Sequence, residues 1–122
     1  NLIVQALEKK SLTIYGDGSQ TRSFCYVDDL ICGIEKVMNS DYYLPINLGS
    51  SDEFTILEIA ELIKKKVKNN LNINFGPLPE DDPLRRKPNI LRAKKELDWE
   101  PKISLDNGLD LTIKYFKKEL NC

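Results

Sequence analysis

Apolar residues recur every three or four positions in five stretches of the chain, which is the spacing of helices that bury one face. The predicted helices cover residues 1–9, 30–38, 56–67, 88–97 and 105–120. The third has the clearest pattern, because glutamate and lysine side chains line the face opposite its apolar residues. These five helices account for much of the chain.

Residues suited to capping mark the ends of several of these helices. Thr55, followed three residues later by Glu58, matches a capping box. Either Asp28 or Asp29 can cap the second helix, which ends near Asn39. In the same way, Ser104 is placed to cap the last helix, Pro88 to begin the fourth, and Trp-Glu-Pro at 99–101 to end it.

Short β-prone runs lie between the helices. Strands are predicted at residues 12–15, 23–27, 45–49 and 71–75, the last with the alternation of a half-buried strand. Few short strands among helices predict an α/β chain, in the form of a small α+β lobe attached to a larger sheet. The chain begins within a helix and without Met, so we expect a single unit, residues 1–122, of a larger protein.

Composition and charge exclude several classes of protein. Hydrophobic residues make up 41% of the chain and charged residues 30%, as in ordinary globular proteins, and the net charge of -1 gives no pull toward nucleic acid. No apolar run reaches the roughly 18 to 20 residues of a membrane span, and no signal peptide is visible. We therefore expect a cytoplasmic protein that binds neither nucleic acid nor membrane.

Metal chemistry and cysteine chemistry are also not expected. The chain has three cysteines and no histidine, and no two cysteines form a CxxC pair, so no metal site is predicted. Cys25 and Cys32 stand among apolar neighbours, and we expect both to be buried, reduced thiols.

The groups that an NAD-dependent oxidoreductase needs are absent from these residues. Gly16 and Gly18 would begin a dinucleotide-binding loop only with a third glycine at the position of Thr21. No tyrosine is followed four residues later by lysine, so a lysine-tuned tyrosine base is missing. No catalytic residue and no cofactor-binding residue is predicted within the chain.

Two loops could bind an anion. Residues 15–22 combine an aromatic side chain, glycines and Arg22, while residues 81–88 carry several cations before a helix. Each has a simpler structural explanation, in which Arg22 pairs with Asp28 or Asp29 in a hairpin and the second loop pairs its own charges. Trp99 is expected in the core, where its indole N–H needs an acceptor.

The order of motifs along the chain resembles the extended short-chain dehydrogenases/reductases that act on nucleotide sugars, the NAD-dependent epimerase/dehydratase family. The matching segments cover essentially the whole chain: residues 16–30, 46–49, 53–60, 81–88, 97–101 and 108–109. Among these enzymes the chain is most similar to the UDP-glucuronate decarboxylases, also called UDP-xylose synthases. It departs from their pattern at Asn89, where Asp is usual, and at Asp98, where Gly is usual.

The resemblance implies the substrate-binding lobe of an extended Rossmann-type enzyme, with the Rossmann half missing. It implies that the missing N-terminal part binds NAD and that this lobe binds a UDP-sugar. Arg22 and Arg86 would contact the diphosphate from opposite sides, and Tyr15 and Gln20 the base and ribose. Asn1 and Leu2 match positions near the substrate.

The implied parent reaction converts UDP-glucuronate to UDP-xylose by C4 oxidation, decarboxylation and re-reduction. We expect the isolated chain to be inactive. We also expect residues 2–7 to be exposed without the Rossmann half and to favour self-association. The alternatives are part of a dTDP-glucose 4,6-dehydratase or UDP-sugar epimerase, or a non-catalytic module that binds a nucleotide sugar or a protein.

Overall fold

A computed structural model describes all residues, Asn1–Cys122, as a mixed α/β chain of five helices and five short strands. The helices α1 to α5 span Leu2–Leu7, Val27–Met38, Ile56–Val67, Leu91–Leu97 and Leu105–Glu119. The strands β1 to β5 span Leu12–Tyr15, Thr21–Ser23, Glu53–Thr55, Ile73–Gly76 and Arg85–Arg86. The predicted fold class is confirmed.

The strands form two small sheets. β1 and β4 pair in parallel, with Leu12 opposite Ile73 and Tyr15 opposite Gly76. The second sheet has three strands in the order β3–β2–β5. None of the helices combines the length and apolar composition needed to cross a membrane.

The chain divides into two compact units. The first comprises Asn1–Arg22, Phe54–Arg85 and Leu109–Cys122, and the second comprises Ser23–Glu53 and Arg86–Gly108. The assignment of residues 1–122 as the C-terminal portion of a larger enzyme stays a prediction.

The core of the first unit lies where β1 meets its helices. Leu12, Ile14 and Ile63 have almost no exposed surface. The Gln5 amide of α1 also holds β1, since its oxygen accepts from the Thr13 N–H at 3.0 Å and its nitrogen donates to Thr13 Oγ1 at 3.2 Å. The amphipathic helices and this short strand therefore share one apolar layer.

The core of the second unit is built around Trp99, which is 3% exposed and packs with Ala93 and Leu97. Its indole N–H donates to the Asp29 carbonyl at 3.0 Å, which satisfies the buried donor as expected. Asp98, before it, ends α4 in the left-handed conformation with φ 48°. This is the backbone geometry that explains why glycine is usual at that position.

Several local predictions are confirmed. Thr55 and Glu58 form a complete capping box at the start of α3, with Glu58 N–H to Thr55 Oγ1 at 3.1 Å and Thr55 N–H to Glu58 Oε2 at 2.7 Å. Ser104 Oγ accepts from the Asn107 N–H at 3.2 Å at the start of α5. These motifs need only residues adjacent in sequence, so the pattern alone defines them.

The strand prediction at residues 45–49 is wrong. This segment has no strand partner, and Ile46 and Leu48 instead pack against the Trp99 cluster. The strand that does form, β3, is too short to give a pattern of its own. The predicted strand at 23–27 is also misplaced, because β2 ends at Ser23 and Val27 already begins α2. A buried irregular segment and a buried strand both appear as a short apolar run in the sequence, but only a segment that pairs with another strand is a strand.

Two helix starts were predicted wrongly. The N-cap of α2 is Tyr26 without a side-chain cap, and Asp28 and Asp29 lie inside the first turn, where carboxylates favour the helix dipole. α4 begins at Leu91 rather than at Pro88, with the Asn89 side chain accepting from the Leu91 N–H at 3.0 Å.

Predicted exposure also differs at three places. In α1, Ala6 and Leu7 are buried and the residues before them are half-buried, so the exposed face expected at residues 2–7 is absent. The apolar face of α2, which was expected to be buried, includes Ile31 and Met38, and both are exposed. Cys32 is exposed, contrary to expectation, while Cys25 is partly buried.

Candidate functional site

A cavity of about 330 Å³ in the first unit collects five of the six residues predicted to bind substrate. Asn1, Leu2, Tyr15, Gln20 and Arg22 all line it, together with Thr13, Ile14, Ile56, Pro79 and Asp82. Arg86 does not line it and lies exposed on β5, in the second unit. The binding roles of all six residues stay predictions.

The loop after β1 shapes one end of this cavity. Gly16 and Gly18 have φ of +80° and +81°, a conformation that side-chain-bearing residues rarely adopt. A Cβ at Gly18 would also stand 3.1 Å from Leu57 Cβ. The loop is joined to α3 by the Leu57 N–H to the Gly18 carbonyl at 3.1 Å and the Ile56 N–H to the Gln20 carbonyl at 3.0 Å. The two glycines thus serve a tight turn against a helix start.

The same loop contains a short Asx turn. The Asp17 carboxylate accepts from the Ser19 hydroxyl at 2.5 Å and from the Ser19 N–H at 2.9 Å. These hydrogen bonds, first to the side chain and then to the backbone, lower the pKa of Asp17. The carboxylate is therefore used to hold the turn.

Gln20 joins the end of β1 to the start of β2. Its side chain is buried, with 5% exposure, and Nε2 donates to the Tyr15 carbonyl at 2.6 Å. Tyr15 is 53% exposed. The buried amide therefore orders the backbone beneath an accessible aromatic ring, which is a surface suited to a planar ligand.

Arg22 is held firmly at the cavity. Its Nη1 donates to the Thr21 carbonyl and to the Pro83 carbonyl, each at 2.7 Å, and Nη2 donates to the Asp82 carboxylate at 2.5 Å. The expected pairing with Asp28 or Asp29 is wrong; the partner is Asp82. A guanidinium has five N–H groups, and three of those of Arg22 are used in these hydrogen bonds, which leaves two.

Asp29 has a structural role different from the helix capping predicted for it. It is 8% exposed, and its Oδ2 accepts from the backbone N–H groups of Lys102 at 3.0 Å and Ile103 at 2.8 Å. Two backbone donors satisfy this buried carboxylate. No group of three or more cysteine, aspartate or glutamate side chains is arranged to hold a metal ion.

Sequence reasoning missed Asp82 as a cavity residue. The charged run at 81–88 marked the segment, but nothing local links Asp82 to Arg22, which lies 60 residues away. The apolar cavity residues Ile56 and Pro79 were also missed. In the sequence, Ile56 indicates only a helix and Pro79 only an irregular segment.

Comparisons with known proteins point to one family. The sequence model of the GDP-mannose 4,6 dehydratase family matches residues 1–112. UDP-glucuronic acid decarboxylase 1 from Danio rerio is 52% identical over 120 residues, covering 98% of this chain and 29% of the relative. The chain therefore spans less than a third of that relative's length.

Solved structures agree on the fold. UDP-glucose 4-epimerase from Thermotoga maritima, solved with UDP-glucose, matches with a TM-score of 0.93 and 29% identity, over 98% of this chain and 38% of that one. UDP-glucuronic acid 4-epimerase from Bacillus cereus, in complex with UDP-glucuronic acid and NAD, gives a TM-score of 0.90 and 34% identity, over 97% and 38% of the two chains.

The family expected from the motifs is thereby confirmed, and NAD is a cofactor found in structures of its members. Gln20 and Arg22 of the cavity lie in the matching segment 16–30, and Asp82 lies in the matching segment 81–88. The chain belongs to the GDP-mannose 4,6-dehydratase family of extended short-chain dehydrogenases/reductases, and it is close to the UDP-glucuronate decarboxylases.

Proposed function

We propose that the chain is the C-terminal, nucleotide-sugar-binding portion of an NAD-dependent UDP-glucuronate decarboxylase. The observation that carries this proposal is the cavity of the first unit, where an exposed aromatic ring and an anchored arginine face one space. A 52% identical relative of that name supports the choice of reaction.

The cavity chemistry suits a nucleoside diphosphate. Two N–H groups of Arg22 remain for phosphate oxygens, and its other donors fix the guanidinium in place. Tyr15 supplies a ring for the base or ribose. Because the arginine is already ordered, little side-chain entropy is lost when a ligand binds.

We place the redox chemistry in the rest of the parent enzyme. The chain contains neither a glycine-rich phosphate loop nor a tyrosine followed four residues later by lysine. NAD, when bound there, would accept hydride from C4 of UDP-glucuronate and return it after CO2 is lost. This portion would contribute by holding the nucleotide, so that binding energy far from the sugar positions the reacting carbon.

Arg86 is proposed as a second diphosphate contact on family likeness alone. It is exposed on β5, and its side chain is outside the cavity lining described above. Substitution of this residue therefore tests the part of the proposal that depends least on geometry.

Calorimetric titration of the chain with UDP and UDP-glucuronate tests the proposal. We expect Arg22→Ala to weaken binding by about 1.5 to 3 kcal/mol, the size of charged hydrogen bonds to phosphate. Arg22→Lys should recover only part of this loss, since lysine keeps the charge but lacks the planar fork.

A matched control is Lys114→Ala, which removes one positive charge from an exposed position of α5 outside the cavity. It should leave the affinity within about 0.5 kcal/mol of wild type. The proposal would be refuted if Arg22→Ala and Lys114→Ala lost the same binding free energy, or if a folded wild-type chain did not bind UDP.

A UDP-sugar epimerase is the second candidate, because the fold matches two such enzymes with TM-scores of 0.93 and 0.90. The reaction of the parent enzyme separates the two. A decarboxylase releases CO2 from UDP-glucuronate, whereas an epimerase converts it to a C4 epimer with the carboxylate retained.

A further inference from the structure

Arg22 shares its cavity with an acid that neutralises it. The Arg22 and Asp82 side chains are 21% and 30% exposed, so water screens their interaction only in part. Both residues line the cavity. An anion that binds the two remaining N–H groups of Arg22 must therefore approach the Asp82 carboxylate as well.

Backbone contacts place Asp82 there independently of its charge. The Asp82 N–H donates to the Pro79 carbonyl at 3.2 Å, which closes a turn in the cavity wall. The Thr21 N–H donates to the Leu84 carbonyl at 2.9 Å, which ties the following residues to β2. The carboxylate is thus held at the arginine by the chain on both sides of it.

We propose that Asp82 is a specificity-determining residue that favours diphosphate diesters over free diphosphates. This rests on the proposed function, because it concerns the same cavity. Each phosphate of a nucleotide sugar carries one negative charge, whereas the terminal phosphate of free UDP carries close to two at neutral pH. Repulsion by Asp82 rises with that extra charge, so UDP is penalised more than UDP-glucose.

The role differs from simple positioning of Arg22. Asparagine at position 82 keeps an oxygen that can accept from Nη2 but removes the negative charge. If Asp82 only held the arginine in place, Asp82→Asn would weaken or preserve binding of both ligands alike. If it discriminates by charge, the same substitution strengthens binding of UDP more than of UDP-glucose.

The test is calorimetric titration of wild type, Asp82→Asn and Asp81→Asn with UDP, UDP-glucose and pyrophosphate. Asp81→Asn is the matched control. It removes the same charge from the neighbouring residue, whose exposed side chain does not line the cavity. In Asp82→Asn we expect the ratio of the Kd of UDP to that of UDP-glucose to fall about fivefold. Pyrophosphate should bind Asp82→Asn at least about fivefold more tightly than it binds wild type. Asp81→Asn should keep the wild-type ratio.

The same ratio in all three proteins would overturn the proposal, as would weaker binding of UDP by Asp82→Asn. Circular dichroism and urea unfolding verify the fold of each variant, and Asp82→Ser is the second variant if asparagine is not tolerated. A folded wild type that binds neither nucleotide refutes the proposed function instead. The inference is then still decided by pyrophosphate, which must bind Asp82→Asn more tightly than wild type.

Discussion

At the scale of single residues, the buried polar groups of Trp99 and Asp29 are satisfied by backbone partners. The Asp29 carbonyl accepts the Trp99 indole N–H, and the Asp29 carboxylate accepts two backbone N–H groups near Ile103. Leaving such groups without partners would cost roughly 1 to 3 kcal/mol each. Asp29, which the sequence suggests as a helix cap, therefore holds the chain near Ile103 instead.

The thiols give a prediction at this scale. Burial raises the pKa of Cys25, and the negative charge of Asp29 adds to the shift, so little reactive thiolate forms at pH 8. Cys32 and Cys122 are exposed. With Ellman's reagent we expect two fast thiols and one that reacts at least about tenfold more slowly.

Urea should bring all three thiols to similar rates, and Cys25→Ala should remove only the slow phase. Three equal rates in the folded protein would contradict the prediction.

At the scale of elements, the two helical glycines differ in their surroundings. A Cβ on Gly33 of α2 would lie 2.9 Å from Trp99 Cε2 and 3.0 Å from Leu48 Cδ1. A Cβ on Gly108 of α5 would meet nothing closer than 3.5 Å, at the Tyr26 ring. Close packing explains the first glycine, and no steric demand explains the second.

We therefore expect Gly33→Ala and Gly108→Ala to change stability in opposite directions. The first should lower the free energy of unfolding by about 1 to 3 kcal/mol through overpacking. The second should raise it by about 0.5 to 1 kcal/mol, since alanine favours the helix. Urea unfolding followed by circular dichroism measures both, and the same sign for the two variants would refute the packing argument.

At the scale of the whole molecule, the chain has the motif order of its family but contains no glycine-rich phosphate loop and no tyrosine–lysine pair. It matches the family over residues 1–112 and yet spans 29% of the length of its decarboxylase relative. A rate enhancement requires the substrate and the reacting groups to be held together. The proposed nucleotide-sugar binding can therefore be measured on this chain separately from the chemistry of the parent enzyme.

With UDP-glucuronate and NAD added, we expect the isolated chain to release CO2 no faster than a blank without protein. The physical reason is the absence of a tyrosine–lysine proton-transfer pair and of a cofactor loop among its residues. Radiolabelled CO2 release from UDP-glucuronate measures this directly, with a full-length homologous decarboxylase as the positive control. Sustained turnover by the chain would contradict the prediction.

Local pattern was sufficient for the amphipathic helices, the capping box at Thr55 and the family motifs. Periodicity and capping depend on residues within about one or two helical turns of each other, so they are visible in a single sequence. The left-handed backbone at Asp98 was likewise predictable from the glycine usual there. Even so, Pro88 and Asp29 show that a suitable capping residue does not by itself start a helix.

The sequence by itself determined the α/β class, the number and approximate positions of the helices, and the motifs that identify the family. Only the tertiary structure decided that β3 and not residues 45–49 forms a strand, and that Arg22 pairs with Asp82 at a cavity. The physical reason is that strand pairing, burial and ion pairing join residues far apart in the chain. Their free energy depends on which partner the fold brings within reach, and no local pattern contains that information.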